Sequence, residues 1–195
     1  SPEAIYQELS VIDAAANRAK GITRKLQDMG KSRVPSVVEC DVNILIEEVV
    51  GNLKKVEFKP KHIEIIYHLS PDLPSILAEP EPLRQVFSNI LVNAGDAIDD
   101  RGTITITSEY KEAMVRVIIA DTGRGIPPEN IQRIFSPFFT TKGGGRGTGL
   151  GLSIAASIVK YLGGTIKVNS IPGTGSSFTI LLPVNNQTKQ PVNKS

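Results

Sequence analysis

The spacing of the apolar residues changes at Gly30, and this change constrains the fold more than any other feature. Before it, apolar side chains recur every three or four residues, at Ile5, Leu9, Ile12, Ala16, Ala19, Ile22, Leu26 and Met29. That spacing predicts one long helix over residues 3–30 with a narrow apolar seam. Because such a seam has nothing of its own to bury against, we expect a helical hairpin or an intermolecular bundle. Packing on its own domain is the alternative.

After Pro35, short apolar runs typical of strands alternate with amphipathic stretches typical of helices. We predict strands over residues 37–41, 62–69, 103–110, 114–121, 165–169 and 177–182, and helices over 42–56, 82–98 and 148–162. The short turns after residues 110 and 169 predict two antiparallel hairpins. The pattern indicates an α/β or α+β layered domain over residues 34–183, followed by a polar tail over 184–195.

Charge and cysteine content exclude several classes of protein. The 195 residues carry 22 Lys and Arg against 20 Asp and Glu, a net charge of +2, so no dominant field points to nucleic acid or an anionic membrane. The single cysteine, Cys40, excludes an internal disulfide framework and suits a reducing compartment, so we expect a cytoplasmic location. No apolar run is long enough to span a bilayer. Because the chain starts at Ser1 within a predicted helix, we expect a fragment.

A polar stripe borders the apolar face of the helix predicted over residues 82–98. At 100° per residue, the apolar side chains fall in one sector, the predicted buried face: Leu83, Val86, Phe87, Ile90, Leu91, Ala94, Ala97 and Ile98. Asn89, Asn93 and Asp96 lie along one edge of that sector, between core and solvent. Side chains there could meet a ligand in a cleft beside the helix, or they could be ordinary boundary residues.

An acidic residue ends the apolar strand predicted over residues 114–121. Asp121 is followed by Thr122-Gly123-Arg124-Gly125. A carboxylate at this point can accept a hydrogen bond from a ligand's amino group, and glycines allow close approach of the backbone. A strand turn without a ligand is the alternative. The pattern does not match a nicotinamide-binding fold, because the third glycine, the crossover helix and the later acid are missing.

A glycine-rich stretch runs directly into the last predicted helix. Residues 140–152 contain six glycines together with Lys142 and Arg146. Backbone N–H groups can converge on an anion there, the helix N-terminus adds a positive dipole end, and the two cations can meet several phosphate oxygens. The stretch therefore predicts a phosphate site, with a plain glycine linker as the alternative.

Two weaker signals do not carry function. His62 and His68 share a face of a predicted strand, but no nearby carboxylate or thiol pattern supports a metal, so we expect structural histidines. Gly30-Lys31-Ser32 ends like a phosphate-binding loop, yet Lys25 stands where that motif requires its first glycine.

Four motifs follow one another in a specific order. They are Asn89-x-x-x-Asn93-Ala94-x-Asp96-Ala97, Asp121-x-Gly123-x-Gly125-Ile126, Phe135-Ser136-Pro137-Phe138-Phe139-x-Thr141-Lys142 and Gly147-Thr148-Gly149-Leu150-Gly151-Leu152. Together, over residues 37–183, they resemble the catalytic ATP-binding domain of two-component sensor histidine kinases, within the gyrase, heat-shock-90, histidine-kinase and MutL ATPase superfamily. Residues 1–33 resemble part of that family's dimerisation and phosphoacceptor hairpin, namely its second helix.

The resemblance implies a two-layer α/β sandwich, in which a mixed, mostly antiparallel sheet is covered by helices on one face and ATP lies between the helices and a lid. It implies that Asn93, with Asn89 beside it, coordinates Mg²⁺ and that Asp121 accepts from the adenine amino group. Asn89, Asn93, Lys142 and Arg146 become the candidate catalytic residues, and Asp96 lies among the ATP-binding ones. The other implied binding residues are Gly123, Gly125 and Ile126 at the base, Phe138 and Phe139 as lid anchors, Gly147, Thr148, Gly149, Leu150 and Gly151 at the phosphates, and Ser177 or Thr179 at adenine.

The residue type at Asn89 indicates whether phosphoryl transfer or hydrolysis is favoured. Hydrolytic members of the superfamily carry a water-activating glutamate where this chain, by motif position, has Asn89. An amide takes no proton, so water attack lacks a general base usually worth about 10² to 10⁴ in rate. A neutral imidazole already has a lone pair, so phosphoryl transfer to histidine is favoured.

Two departures from the family pattern matter. The family's phosphoaccepting histidine precedes an acid, whereas His62 precedes Ile63 and His68 precedes Leu69. We therefore expect the acceptor outside this sequence, and no autophosphorylation of this chain. Asp96 stands where many members carry a basic residue, which makes the lid cations more important.

The implied partners are a second copy of the chain through the N-terminal helix, a phosphoacceptor histidine segment, and a response regulator receiver domain, with no nucleic acid and no membrane contact. Two alternatives stay open: a superfamily ATPase or protein-serine kinase, and a non-catalytic nucleotide-binding dimerisation module.

Overall fold

A computed structural model of the chain describes residues 36–142 and 147–184. The helix predicted over residues 3–30 and the tail beyond Val184 lie outside these ranges and stay predictions. The elements within them, in chain order, are β1 (Val38–Cys40), α1 (Val42–Lys55), β2 (His62–Leu69), β3 (Ile76–Ala78), α2 (Pro80–Ala97), β4 (Arg101–Lys111), β5 (Met114–Asp121), α3 (Pro128–Ile131), α4 (Gly151–Tyr161), β6 (Thr165–Ile171) and β7 (Gly175–Pro183).

The structure confirms the predicted elements and adds two short ones. Strands β2 and β5 have the predicted bounds. The three-residue β3 and the four-residue α3 were not predicted, because neither is long enough to show a period. Helix α4 begins at Gly151 and not at residue 148, since Gly149 has a φ of 66°, outside the right-handed helical region.

Five strands form the main sheet in the order β2-β4-β5-β7-β6. Strand β2 pairs parallel with β4, and the other three pairings are antiparallel. Both predicted hairpins, β4 with β5 and β6 with β7, are therefore confirmed. Strands β1 and β3 form a separate antiparallel pair with Val38 opposite Ala78. The mixed, mostly antiparallel sheet is the fold class that the sequence predicted.

One face of the sheet lies in the core beneath the helices. In β4, β5 and β7 every second residue is buried, for example Ile104, Val117 and Ile180, and the residues between them are part-exposed. Helices α2 and α4 pack against each other and against this face. Seven of the eight apolar residues predicted for the buried face of α2 are buried, and Ala97 is partly exposed. The two-layer sandwich with helices on one face is thus confirmed.

The C-terminal end of α2, which carries part of the site described below, is held by the loop between α1 and β2. Lys61 Nζ donates to the backbone oxygens of Gly95 at 2.8 Å and Ile98 at 2.5 Å. These carbonyls would otherwise belong to the unpaired set at a helix end. Phe58, which is buried, packs where Gly95 lacks a side chain.

His62 and His68 share one face of β2, as predicted, and both are exposed. Within residues 36–142 and 147–184, no group of three or more His, Cys, Asp or Glu side chains is arranged to hold a metal ion. None of the helices in those ranges is long and apolar enough to cross a membrane.

Candidate functional site

One cleft of about 1590 Å³ lies between α2, the turn after β5 and the two ends of the glycine-rich stretch. Fourteen of the predicted site residues line it: Asn89, Asn93, Asp96, Asp121, Gly125, Ile126, Phe138, Phe139, Lys142, Gly147, Thr148, Gly149, Leu150 and Gly151. The polar edge of α2 and the glycine-rich stretch therefore face each other across a single cleft, as the sequence predicted. Arg146 lies outside the described residues.

Asp121 lines the cleft and is held by backbone donors. The side chain sits at the end of β5, and the residue is 7% exposed. Its Oδ1 accepts from the backbone N–H groups of Gly123 at 2.9 Å and Ser176 at 3.3 Å. Both bonds use the same oxygen, so within the part of the chain that the structure describes Oδ2 keeps its accepting capacity for a ligand.

Burial raises the pKa of the Asp121 carboxyl above its ordinary value, because desolvation disfavours the charged form. The hydrogen bonds from Gly123 and Ser176 act in the opposite direction and lower it. A buried carboxylate with one well-paired oxygen and one oxygen toward a cleft is a specific acceptor for an N–H group.

The two glycines after Asp121 serve contacts within the protein. A Cβ on Gly123 would lie 2.5 Å from the backbone oxygen of Ala97, at the end of α2. Gly125 has a φ of 70°, and a Cβ there would clash with the backbone oxygen of Ile171. Gly125 lines the cleft and Gly123 does not, and the missing side chains make room for α2 and β6. A role of the two glycines at the base stays a prediction.

Asn89, Asn93 and Asp96 lie half-buried along the cleft side of α2, as the stripe predicted. Asn89 packs against the first residue of α4, since a Cβ on Gly151 would lie 3.5 Å from its Oδ1. The Nδ2 atom of Asn89 is buried without a hydrogen-bond partner among the described residues. Because a buried polar group without a partner is costly, this amide is a candidate contact for a ligand.

Lys142 connects the glycine-rich stretch to α2. Its Nζ donates to Asp96 Oδ2 at 2.5 Å and to Asn93 Oδ1 at 3.1 Å. The contact spans 46 residues of sequence and brings a cation into the cleft beside Asn93 and Asp96. The predicted cation and the predicted polar stripe thus meet directly.

The two phenylalanines before Lys142 differ in their packing. Phe139 packs against the core and carries the guanidinium of Arg133 over its ring at 4.6 Å. Phe138 is 67% exposed and has a φ of 65°. A Cβ on Gly149 would clash with the Phe138 backbone, so the two ends of the glycine-rich stretch lie against each other. Phe139 thus matches the expected anchor, whereas the Phe138 side chain is not packed.

Strand β7 brings a different hydroxyl to the cleft from the one predicted. Ser176 and Phe178 line the cleft, whereas Ser177 and Thr179 do not. Successive residues of a strand point to opposite faces, and the inward set contains Ser176, Phe178 and Ile180. The expectation for Ser177 or Thr179 is thereby corrected. The alternation with Phe178 and Ile180 was the sequence signal that identifies Ser176.

The residues present fit a nucleotide with a divalent ion. Amide and carboxylate oxygens, such as those of Asn93 and Asp96, are the hard ligands that Mg²⁺ prefers, and the Lys142 ammonium shows that a cation is accommodated there. The Asn89 amide, which has no partner among the described residues, lies on the same helix edge, and Asp121 lines the same cleft from the end of β5.

Sensor histidine kinase ZraS of Escherichia coli K12 is a relative, 36% identical over 186 residues, which cover 95% of this chain and 39% of ZraS. The chain thus spans about two fifths of the length of the ZraS proteins it matches.

Two solved structures are similar in fold. Full-length ShkA in complex with AMPPNP has a TM-score of 0.69 and 30% identity, over 80% of this chain and 33% of that one. The histidine kinase ThkA in complex with the response regulator protein TrrA has a TM-score of 0.74 and 28% identity, over 97% of this chain and 54% of that one.

One family description matches residues 78–186, more than half of the chain, and these residues include the polar edge of α2, Asp121 and both ends of the glycine-rich stretch. The chain therefore belongs to the histidine kinase-, DNA gyrase B- and HSP90-like ATPase family, and its similarity to sensor histidine kinases extends over nearly its whole length.

Proposed function

We propose that this chain is the kinase core fragment of a dimeric sensor histidine kinase. It binds ATP with Mg²⁺ and transfers the γ-phosphoryl group to a histidine outside this sequence. The observation that carries the proposal is the single cleft that is lined both by the buried Asp121 carboxylate and by the Lys142 ammonium beside Asn93.

At one end, Asp121 selects the base. Its Oδ2 accepts a hydrogen bond from the adenine amino group, while Gly123 and Ser176 hold Oδ1 in place. A base with a carbonyl oxygen at that position would place two acceptors against each other. This favours adenine over guanine.

At the other end, the polar edge of α2 receives the triphosphate. Asn93, with Asn89 beside it, would hold a divalent ion through its amide oxygen, and such an ion would supply charge neutralisation at the phosphates. Lys142 and Arg146 contact phosphate oxygens, together with the backbone of residues 147–151 at the start of α4. The role of this end is to position the γ-phosphoryl group and to stabilise its charge.

Transfer is favoured over hydrolysis by the absence of a free base on the described α2 edge. Asn89 takes no proton, and the Asp96 carboxylate is paired with Lys142 at 2.5 Å. An imidazole nitrogen needs no such base, because its lone pair attacks phosphorus directly. A P–N bond forms while the bond from phosphorus to the bridging oxygen of ADP breaks, and ADP leaves with that electron pair.

The partners follow from the same proposal. We expect a homodimer through the helix predicted over residues 3–30, with the accepting histidine on the preceding part of the hairpin. The phosphoryl group passes on to a response regulator, which is the kind of protein bound to ThkA in its complex with TrrA. We place this domain in the cytoplasm.

The adenine assignment is tested with Asp121→Asn. This change replaces the carboxylate acceptor with an amide, and we expect ATP binding to weaken by about 1 to 3 kcal/mol, roughly 5- to 150-fold, because a charged hydrogen bond is lost. Isothermal titration calorimetry measures the affinity. The matched control is Asp100→Asn, an exposed carboxylate whose removal changes the net charge equally. Wild-type affinity in the Asp121 variant would refute the assignment.

The transfer step is tested by supplying the acceptor in trans. The chain is incubated with γ-labelled ATP and a separate hairpin carrying the native accepting histidine of the same kinase. Acid-labile phosphate on the hairpin is the expected product. Steady release of inorganic phosphate without a labelled hairpin would support a hydrolase, and bound ATP with neither product would support a non-catalytic module.

A further inference from the structure

The ion pair between Lys142 and Asp96 places a negative charge where the proposed function expects phosphate, and this placement needs an explanation. Asp96 lies three residues after Asn93, so both side chains face the cleft from the same side of α2. The Lys142 side chain is 24% exposed and that of Asp96 is 42% exposed. The pair is therefore partly withdrawn from solvent, and it places a carboxylate in the end of the cleft that receives an anion.

A carboxylate at this place is unfavourable by simple electrostatics. It repels a triphosphate, and the repulsion is stronger in a partly desolvated cleft than in water. Two other cations near α2 have their own acidic partners: Arg84 pairs with Glu48 and Glu81, and Arg124 lies 3.8 Å from Asp99. Asp96 instead pairs with the cation that the glycine-rich stretch supplies.

A lysine without a fixed partner is a poor phosphate ligand before the ligand arrives. Its four-carbon stem samples many rotamers and its ammonium is strongly hydrated, so binding has to order it. The Asp96 carboxylate orders the Lys142 side chain before the ligand binds, so less conformational entropy is lost on binding. The ammonium then lies 3.1 Å from Asn93 Oδ1.

We propose that Asp96 is a positioning residue, whose carboxylate places the Lys142 ammonium at the phosphate end of the cleft before the nucleotide enters. The inference rests on the proposed function, because it assumes that a triphosphate occupies this end. By its charge alone, the Asp96 carboxylate would weaken the binding of an anion. Here the carboxylate strengthens that binding through the lysine that it holds.

The inference is tested by whether removing the Asp96 charge weakens or strengthens ATP binding. ATP affinity is measured by calorimetry in EDTA, because a divalent ion would compete with the ammonium for Asn93 Oδ1. We expect Asp96→Asn to weaken metal-free ATP binding by about three- to tenfold, the range expected for a partly buried ion pair. Charge repulsion alone predicts the reverse. Asp100→Asn is the control for the change in net charge, and we expect it to leave the affinity within about twofold of wild type, because exposed charges are screened by salt.

A variant of Lys142 separates positioning of the lysine by Asp96 from any direct role of Asp96 in binding. In a Lys142→Gln background there is no ammonium to place, so Asp96→Asn should then leave the affinity unchanged or tighten it. An equal loss in both backgrounds would overturn the inference, as would unchanged or tighter binding of the single Asp96 variant.

A readout without nucleotide tests the contact itself. Amide hydrogen exchange of residues 140–142 should be faster in Asp96→Asn and Lys142→Gln than in wild type or Asp100→Asn, and unchanged exchange would overturn the inference. Failure of the proposed function looks different: a wild-type chain that binds no ATP would overturn that function and this role together. Normal binding with no effect at Asp96 would overturn this role alone.

Discussion

The two ends of the cleft are built in different ways. At the Asp121 end, backbone N–H groups from two separate segments hold the carboxyl group of a residue that is 7% exposed. Glycines there let neighbouring backbone segments of the same chain approach closely. At the Lys142 end, side chains hold side chains, and the pair Lys142 and Asp96 is 24% and 42% exposed. The Asp121 end is shaped by backbone packing and the Lys142 end by an ion pair between side chains.

The difference suggests a division of tasks. A base is rigid and planar, so a fixed acceptor recognises it with little ordering on binding. A triphosphate with a metal ion changes shape and charge during the reaction, so the groups around it must be able to shift. We therefore expect substitutions at the Asp121 end to affect folding and binding together, and those at the Lys142 end to affect binding more than folding.

The largest expected difference is between two glycines. Gly125→Ala at the Asp121 end forces a side chain into a left-handed position and against the Ile171 backbone, and we expect the free energy of unfolding to fall by about 2 to 4 kcal/mol. Gly147→Ala at the Lys142 end meets the Thr140 hydroxyl, which can rotate away, so we expect a change of about 0.5 kcal/mol or less. Urea unfolding measures both.

Equal destabilisation by the two alanines would remove the contrast. Gly51→Ala on α1, where a Cβ meets nothing within 4 Å, serves as the control for adding a methyl group. A helical position of that kind should gain stability by about 0.4 to 1 kcal/mol.

A smaller effect concerns pH at the Asp121 end. Because burial raises the pKa of Asp121 in the folded chain, its carboxyl group takes up a proton at a higher pH than an ordinary aspartate does. The folded state then binds more protons than the unfolded state, so this group's contribution to stability is largest below the unfolded pKa and is lost as pH rises through the folded pKa. ATP affinity should change in the opposite direction, since protonation removes the charged acceptor.

The wild type and Asp121→Asn are compared across the acidic range, so that titration of the nucleotide and of other carboxyl groups cancels. We expect the ratio of their ATP affinities to shrink towards one as pH falls, and the stability of wild type relative to the variant to increase. A ratio that stays constant down to the pH where ordinary aspartates titrate would show that the carboxylate is not the acceptor.

The smallest effect is expected in the β4 to β5 turn, away from both ends. Glu112 and Ala113 have φ values of 54° and 60°, which glycine adopts more readily than either residue. We expect Ala113→Gly to stabilise the fold by about 0.5 to 1 kcal/mol, as measured by thermal unfolding, and to leave ATP affinity unchanged. A parallel gain in affinity would mean that general stability, and not the local construction of the cleft, limits binding.

Much of the fold was predictable because its signals are local. The bounds of β2 and β5, both hairpins and the buried face of α2 follow from periods of two and 3.6 residues, which only neighbouring residues determine. Strand β3 was missed because three residues show no period, and the start of α4 was misplaced because the left-handed position at Gly149 is not visible in the apolar pattern.

The candidate site divides in the same way. That Asn89, Asn93 and Asp96 share a helix edge, and that Asp121 ends a buried strand, could be seen from spacing alone. The sequence offered Ser177 or Thr179, which share one face of β7, whereas the structure brings Ser176 on the opposite face to the cleft. A strand changes face with every residue, so the hydroxyl that enters the cleft depends on which face packs inward.

The sequence by itself thus determined the type and order of the elements and the residues of the four motifs, since these depend on local conformational preference and on the burial of one face. Tertiary structure decided which groups touch: Gly123 against Ala97, Ser176 beside Asp121, and Lys142 on Asp96 across 46 residues. Contacts between distant segments depend on strand register and on how loops close, and those are set only when the whole chain packs.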